Sequence, residues 1–260
     1  MSTGKGGSGP VTRIATSDAT SIHVGGRNLL EDLVGKCSFT EMLYFLTVKR
    51  MPTPAQTRIL DACMVTLMEH GLTPSAVIAR LMADSVPEEP QVAMAAGLLA
   101  IGSVFAGTTE QCARMLLDLE KRIARGEVDA PRKLAEEYAA TKKPVPGFGH
   151  TTHKPDDPRS EKLFTVLERD GEKGRYIELL RHLSAEVDNA NGRHITINAT
   201  GAIGALFLEI GIQVEAMRGF SVVSRSGGLV GHLLEEQETH SGRAIWMASK
   251  AAVRYEAPED

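Results

Sequence analysis

A succession of capped helical patterns is the feature of this sequence that most restricts its fold. Ser38 opens a capping-box pattern, SFTE, in front of an apolar helical run, and Thr53 precedes Pro54 at another helix start. Asn28 is a further cap, in front of LLEDLVGKC. Roughly ten to twelve such segments follow a helical period, far above the usual third of residues in helix. An all-α fold is therefore predicted.

Three local expectations refine this picture. Residues 12–24 alternate β-forming residues around a turn, which predicts a short N-terminal β-hairpin that Gly25-Gly26 ends. The helix that begins at Thr53 is expected to stop at Gly71, with His70 as its last helical residue. The segment QVAMAAGLLAIGSVF, residues 91–105, is rich in Ala and Gly and predicts a closely packed helix, a candidate contact between copies of the chain.

Composition narrows the function classes. The 260 residues are 42% hydrophobic and 24% charged, with a net charge of −4, as expected for a soluble globular protein without the basic face that nucleic-acid binding needs. Cys37, Cys63 and Cys112 lie in separate apolar helical patterns, which favours free buried thiols over a disulfide or metal set, and no metal site is predicted. No apolar run predicts a signal peptide or a membrane span, so a cytoplasmic location is expected.

The densest chemistry lies between Lys142 and Arg159, KKPVPGFGHTTHKPDDPR. Helical patterns flank this stretch, so it is predicted to be a long loop, and its four prolines argue for an ordered one. Gly147 and Gly149 allow a tight turn that delivers His150, a residue suited to hydrogen bonding or general acid–base work. A proline-rich connector with an incidental histidine is the alternative from composition alone.

The same stretch resembles a known family. VPGFGH at His150, followed by DPR at Arg159, is similar to the citrate synthase signature. MEHG at His70, IGSVFAG around Phe105 and VVSRSGGLVGH at Arg225 resemble the family's other sites, in the family's order along nearly the whole chain. The short chain, Phe105 in place of a histidine, and SRSGGLVGHLLEEQ look most like the citryl-CoA lyase module of ATP-citrate lyase.

The resemblance implies an architecture and a reaction. A large helical domain is expected from residues 1–107 and 212–260, and a smaller one from residues 108–211. The implied reaction makes or breaks the carbon–carbon bond between acetyl-CoA and oxaloacetate, through citryl-CoA. Coenzyme A is then part of a thioester substrate, and no tightly bound cofactor is expected. The implied partners are an acyl-CoA and oxaloacetate or a citrate-like acid, with no nucleic acid or membrane, and the chain is expected to form a homodimer or a larger homo-oligomer.

It also implies roles for individual side chains. His70 matches the histidine that polarises the ketone of oxaloacetate, and His150 matches one that contacts the substrate hydroxyl and carboxylate. Arg159 and Arg225 match the arginines that bind citrate carboxylates, as guanidinium groups do through paired hydrogen bonds. Arg243 lies where the family reaches into a neighbouring protomer's site, although an ordinary solvated arginine fits that position nearly as well.

The residues themselves leave other readings open. His70 can be a plain helix cap stabilised by the helix dipole. Arg159 can pair with Asp156 or Asp157 on the surface, where an ion pair contributes little. Arg225 differs from these, because a guanidinium within an apolar run needs an anionic partner.

The glycine turn resembles the family's cradle for the adenine of coenzyme A, and nearby lysines could meet its phosphates or be ordinary solvated lysines. The residues concerned are Pro146, Gly147, Phe148 and Gly149 in the turn, with Lys142, Lys143 and Lys154 near it.

One departure from the family decides how the chemistry is read. Where the family has the aspartate of an NVDG-like motif, the matching stretch is INATG, which places Thr200 at the catalytic position. A threonine hydroxyl is no base near neutral pH, and Asp188 is the nearest preceding carboxylate. Three hypotheses remain: a citryl-CoA lyase-like enzyme, a citrate synthase that releases citrate and CoA, and a non-catalytic homologue that binds citrate or CoA.

Overall fold

The computed structural model of the chain describes residues 9–104, 107–169 and 174–258, and it confirms the all-α class. The described residues contain eleven α-helices, one short π-helical turn at Leu29–Leu33 and a small sheet. The α-helices are α1 (Phe39–Val48), α2 (Pro54–Met68), α3 (Pro74–Ser85), α4 (Pro90–Leu99), α5 (Thr108–Ala124), α6 (Ala130–Thr141), α7 (Pro158–Glu168), α8 (Arg175–Asn191), α9 (Ala199–Glu209), α10 (Val214–Thr239) and α11 (Ser241–Ala252). None of the helices described is long and apolar enough to cross a membrane.

The chain forms two compact units that divide between Thr57 and Arg58. The first holds the sheet, in which β1 (Ala15–Ser17), β2 (Ile22–Val24) and β3 (Arg27–Asn28) pair antiparallel in chain order. The hairpin prediction is confirmed, but Gly25-Gly26 does not end the sheet. Both glycines have positive φ and turn the chain back into β3, because glycine adopts this conformation without steric cost. The predicted division of the chain into a large domain, residues 1–107 and 212–260, and a small one, residues 108–211, stays a prediction.

The helix starts follow the local signals. Ser38 and Glu41 form the reciprocal capping box at α1, and the Asn28 side chain accepts hydrogen bonds from the backbone of the π-helical turn. Thr53 Oγ1 accepts from the backbone N–H of Gln56 at 3.2 Å, next to Pro54 at the first helical position. Each of these caps was predicted, because a cap depends only on residues within one helical turn.

Two helix ends differ from the predictions. α2 ends at Met68, so His70 is not its last helical residue. The reason is Glu69, whose Oε1 accepts from the backbone N–H of His70 at 2.9 Å and of Gly71 at 2.6 Å and so replaces helix carbonyls as their partner. α4 ends at Leu99, and residues 100–104 continue as turns, so the predicted helix over residues 91–105 is too long. Phe105 lies outside the described residues.

The centre of the second unit is α9, which packs against α5, α7 and α8. Every residue from Ala199 to Phe207 except Thr200 is buried, as the apolar sequence on all sides of this helix requires. Two glycines set its position. A Cβ on Gly201 would lie 2.4 Å from the carbonyl oxygen of Gly147, and one on Gly204 would lie 2.7 Å from that of Thr109. The backbones of α9, α5 and the central loop therefore touch directly.

This contact predicts an asymmetric response to added methyl groups. Gly201→Ala should lower the free energy of unfolding by about 1–3 kcal/mol, because backbone atoms on both sides must move. Gly219→Ala in α10 is the matched control, since no heavy atom lies within 4 Å of its Cβ position, and it should raise stability by about 0.5–1 kcal/mol. Urea denaturation of the two variants measures both effects; equal midpoints would contradict the proposed close approach.

Candidate active site

A cavity of about 350 Å³ in the second unit brings five predicted site residues together: His70, His150, Arg159, Thr200 and Arg225. This volume is in the range of small-ligand pockets. The other described residues that line it are Thr66, Leu67, Thr73, Pro74, Ser75, Ala100, Ile101, Val104, Thr108, Thr109, Asn198, Ala199 and Ser221. Of the described residues around the cavity, none is an aspartate or a glutamate, so its wall carries two cations and no anion.

The central loop, residues 142–157, presents His150 to this cavity as predicted. Gly147 and Gly149 both have positive φ, which only glycine adopts readily, and the turn between them is tied to the start of α9. The Gly149 N–H donates to the carbonyl of Thr196 at 2.8 Å, and the Asn198 N–H donates to that of Gly147 at 3.0 Å. The loop is therefore an ordered platform next to α9.

His150 is held with one ring nitrogen fixed. Its Nδ1 accepts hydrogen bonds from the backbone N–H groups of Thr152 at 3.1 Å and His153 at 3.0 Å. Because a backbone N–H can only donate, the proton of the neutral ring lies on Nε2. Nε2 is 3.2 Å from Nη2 of Arg159. Burial, then the charge of Arg159, lowers the pKa of His150, so the neutral form is favoured.

Arg159 is oriented by a buried carboxylate. Asp157, only 1% exposed, accepts from Arg159 Nε at 2.9 Å and from Nη2 at 2.8 Å. It also accepts from the backbone N–H of Ala199 at 3.0 Å. Burial alone would raise the pKa of Asp157, but the hydrogen bonds and charge of Arg159, with the backbone N–H of Ala199, together outweigh it and lower that pKa. Arg159 therefore does pair with Asp157, as the alternative reading of the sequence had it. The pair is not a surface pair, however, because the carboxylate is buried.

Arg225 and His70 form the other cationic part of the cavity. Arg225 lies on α10 and is buried, as its apolar sequence context predicts. Its Nη2 is 2.8 Å from Nδ1 of His70, and its Nη1 is 3.3 Å from Glu69 Oε2. Burial, then the charges of Arg225 and Arg159, lowers the pKa of His70 to about 4. His70 is therefore neutral near pH 7.

Residues behind the cavity support this arrangement, and three of them, Glu69, Arg80 and Glu236, were not identified from the sequence. Glu69 Oε2 lies 3.0 Å from Nε2 of His232, although the geometry is not that of a hydrogen bond. His232 Nδ1 accepts from Nε of Arg80 at 2.9 Å, and Arg80 in turn pairs with Glu236 at 2.9 Å. Of these, Glu69 alone had a local signal, as the carboxylate directly before His70 at a helix end.

Thr200 lies in the first turn of α9, where its hydroxyl is already engaged. It donates to Asn198 Oδ1 at 2.7 Å and accepts from the hydroxyl of Thr108 at 2.9 Å. Asp188 does not replace the missing carboxylate in the cavity, because it does not line it and is bound to His194 at 2.6 Å. Thr108, Thr109 and Asn198 are cavity residues that the sequence reasoning did not identify.

Other predicted site residues lie elsewhere. Arg243 is on α11, where it is 3.1 Å from Asp84 and lines a second cavity of about 410 Å³. The turn Pro146–Gly149 and the exposed Lys142, Lys143 and Lys154 do not line the 350 Å³ cavity. Their predicted contact with coenzyme A stays a prediction, as does the reach of Arg243 into a neighbouring protomer.

The fold and the cavity define a class: a helical protein with a cationic cavity of small-ligand size, built between the central loop, α2, α9 and α10. A family model for the C-terminal domain of citrate synthase matches residues 38–247. The chain belongs to the citrate synthase family.

Solved and curated relatives agree with this assignment. The structure of citryl-CoA lyase from Hydrogenobacter thermophilus is similar with a TM-score of 0.84 and 29% identity, over 96% of this chain and 95% of that one. ATP citrate lyase from Methanothrix soehngenii, solved with citrate and coenzyme A, has a TM-score of 0.79 at 18% identity, which shows the fold alone; the match covers 98% of this chain and 43% of that one. Citrate synthase from Synechocystis sp. is 28% identical over 206 residues, 76% of this chain and 49% of that protein. The chain spans about half the length of this curated relative.

A histidine near the site predicts a pH-dependent contribution to the stability of the fold. His194 lies between Asp188 and Asp156, at 2.6 and 2.9 Å, and these hydrogen bonds raise its pKa, so it ties the central loop to the end of α8. A raised folded pKa means stabilisation that is complete below the unfolded value of about 6.5 and lost as pH rises through the folded value. His194→Gln should therefore cost up to about 1 kcal/mol near pH 5.5 and less near pH 8.5, since exposed pairs are screened.

Thermal unfolding at the two pH values measures this difference. His182→Gln is the matched control, because the ion pair of His182 among the described residues is a single long one, with Glu186 at 3.8 Å. If His194→Gln lowered the stability equally at both pH values, the proposed role of protonated His194 would be contradicted.

Proposed function

We propose that the chain is a citryl-CoA lyase-like enzyme, which makes or breaks the carbon–carbon bond between the acetyl group of acetyl-CoA and oxaloacetate. The observation that carries the proposal is the convergence of Arg159, Arg225 and two imidazoles in one cavity whose described lining residues include no carboxylate. Oxaloacetate and citrate carry two and three carboxylates, and such a cavity suits them. The similarity to a citryl-CoA lyase along nearly the full length of both chains supports the lyase form.

The residues divide between binding and polarisation. Arg159 has its Nε and Nη2 turned to Asp157, which fixes the plane of its guanidinium beside His150. The Nε2–H of His150 can donate to a substrate hydroxyl or carboxylate. His70, neutral beside Arg225, can donate to the ketone oxygen of oxaloacetate, where negative charge develops during bond formation. Pro146–Gly149 and the exposed lysines near it are proposed for coenzyme A.

Thr200 is proposed to stand where related enzymes have a catalytic carboxylate. Because its proton is directed to Asn198, its hydroxyl is an unsuitable base for the methyl group of acetyl-CoA. Loss of a general base typically lowers a rate by about 10²–10⁴-fold. This favours the second candidate, a homologue that binds citrate or CoA without turnover. A citrate synthase in the broad sense is the third, and it differs by hydrolysing the thioester.

One assay separates these candidates. The protein is mixed with acetyl-CoA and oxaloacetate, and separately with citryl-CoA, while free thiol and oxaloacetate are followed. The lyase proposal predicts oxaloacetate from citryl-CoA without thiol release. Thiol release from acetyl-CoA plus oxaloacetate would instead indicate a synthase, and citrate binding with no turnover in either mixture would indicate the binding protein.

We also propose that the chain forms a homodimer through α3, α4, α10 and α11. α3 packs against the other three helices, and each of the four exposes two large apolar side chains. Apolar residues scattered singly on a surface are ordinary, whereas a group of them on neighbouring helices indicates an interaction surface. The exposed residues are Ile78, Leu81, Val92, Leu99, Val230, Leu234, Trp246 and Met247.

Light scattering after size exclusion tests the dimer. The expected mass is twice the 28.0 kDa of one chain. Leu234→Glu should shift the protein toward the monomer, because it places a charge in the apolar surface. Val128→Glu, at an exposed apolar residue between α5 and α6, is the control and should leave the mass unchanged. A monomeric wild-type protein would contradict the proposal.

A further inference from the structure

One wall of the cavity is built from hydroxyl groups and the start of α5. Thr108 and Thr109 are the first two residues of this 17-residue helix, and both line the cavity. No side chain of the described residues caps the helix there. The first N–H groups of a helix lack partners within it and carry partial positive charge, which favours an anion.

Thr109 supplies an independent sign of a ligand. The residue is 1% exposed, and its Oγ1 has no hydrogen-bond partner among the described residues. A buried hydroxyl without a partner is costly, and most buried polar groups in folded proteins are paired. We infer that a ligand atom in the cavity completes the hydrogen bonding of Thr109.

The rest of this wall is neutral. The Thr108 hydroxyl donates to Thr200, and the Thr200 hydroxyl donates to Asn198. Of the three threonine hydroxyls, that of Thr109 is the one without an acceptor among the described residues. The described polar contacts of Arg159 and Arg225 are with Asp157, His150, Glu69 and His70, and none is with these threonines. An anion at this wall therefore meets hydroxyl and backbone donors and no paired guanidinium.

We propose that this wall takes the free carboxylate of a malonyl-type thioester, an acyl-CoA with a carboxylate on the carbon next to the thioester carbonyl. The carbon nucleophile then arises by loss of CO₂, and no base is required. The proposal rests on the proposed function, because it names the acyl substrate of that same site. It accounts for a cavity that has cations for a keto acid and, among its described residues, no carboxylate to remove a proton.

The step balances without an oxidant or reductant. The bond between the carboxylate carbon and the α-carbon breaks, its electron pair stays on the α-carbon as the thioester enolate, and CO₂ leaves. The α-carbon then bonds to the ketone carbon of the keto acid. The ketone oxygen, which accepts a hydrogen bond from neutral His70 in the proposed function, becomes an alkoxide and takes one proton from water. One proton is consumed and one CO₂ is released for each bond formed.

A neutral wall suits this reaction. Decarboxylation spreads the carboxylate charge into the enolate, so an arginine paired with the carboxylate would stabilise the starting state more than the transition state. Hydroxyl and N–H donors orient the carboxylate but bind it more weakly than an arginine would. An aspartate at position 200 would repel it, whereas Thr200 does not.

Malonyl-CoA and acetyl-CoA, each with oxaloacetate, test the proposal on the full chain. Released CO₂ and the mass of the acyl-CoA product are followed. Malonyl-CoA should give citryl-CoA or citrate at least about 10-fold faster than acetyl-CoA, at a rate that depends on oxaloacetate. Thr109→Val should lower kcat/KM for malonyl-CoA about 10-fold, and Thr109→Ser, which keeps the hydroxyl, should retain it. Thr200→Asp should reverse the preference between the two thioesters.

The outcomes separate the two levels of the proposal. Oxaloacetate-dependent CO₂ release that Thr109→Val reduces and Thr109→Ser restores supports the malonyl-type substrate. No CO₂ from malonyl-CoA overturns it. Citrate binding, measured separately by calorimetry, then decides whether the proposed function fails as well. If citrate binds, only the malonyl-type substrate is ruled out. If citrate does not bind, the proposed function is contradicted too. Thermal unfolding of each threonine variant checks that it is folded.

Discussion

The site depends on the hydrogen bonds that the buried carboxylate of Asp157 accepts. Asp157 accepts two hydrogen bonds from the guanidinium of Arg159 and one from the backbone N–H of Ala199, while its own N–H donates to Thr196 Oγ1 at 2.9 Å. One side chain thus fixes the end of the central loop, the start of α7 and the start of α9. A buried charge is tolerated only with such partners, so Arg159 has little freedom to turn elsewhere.

Burial and charge together explain the protonation of the cavity. Burial first, and then the charges of the guanidinium groups, lower the pKa values of His70 and His150, so their neutral forms are favoured. Neutral imidazoles donate hydrogen bonds without adding charge, which leaves the arginines as the cations for the proposed polyanionic substrate. The cavity also holds the hydroxyl of Thr109, which has no hydrogen-bond partner in the part of the chain that the structure describes.

The sequence was informative where structure is local or where a motif is long. The caps at Ser38 and Thr53, the loop around His150 and the convergence of four cationic or imidazole side chains were all anticipated. The end of α2 was not, because the carboxylate of Glu69 replaces a helix partner that periodicity assumes. The contacts of Arg80 with His232 and Glu236 join residues more than 150 positions apart, and no local pattern predicts such pairs.

Citrate binding by isothermal titration calorimetry tests the central claim most directly. The account predicts a single site per chain that weakens about 10–100-fold in Arg225→Met and in Arg159→Met, since a hydrogen bond to a charged group contributes about 1.5–3 kcal/mol. Arg132→Met is the matched control, because Arg132 is an exposed arginine on α6 that pairs with Asp129 and Glu136 and lies outside the cavity. Equal citrate affinity in all three variants and the wild-type protein would contradict a binding site built on the two cavity arginines.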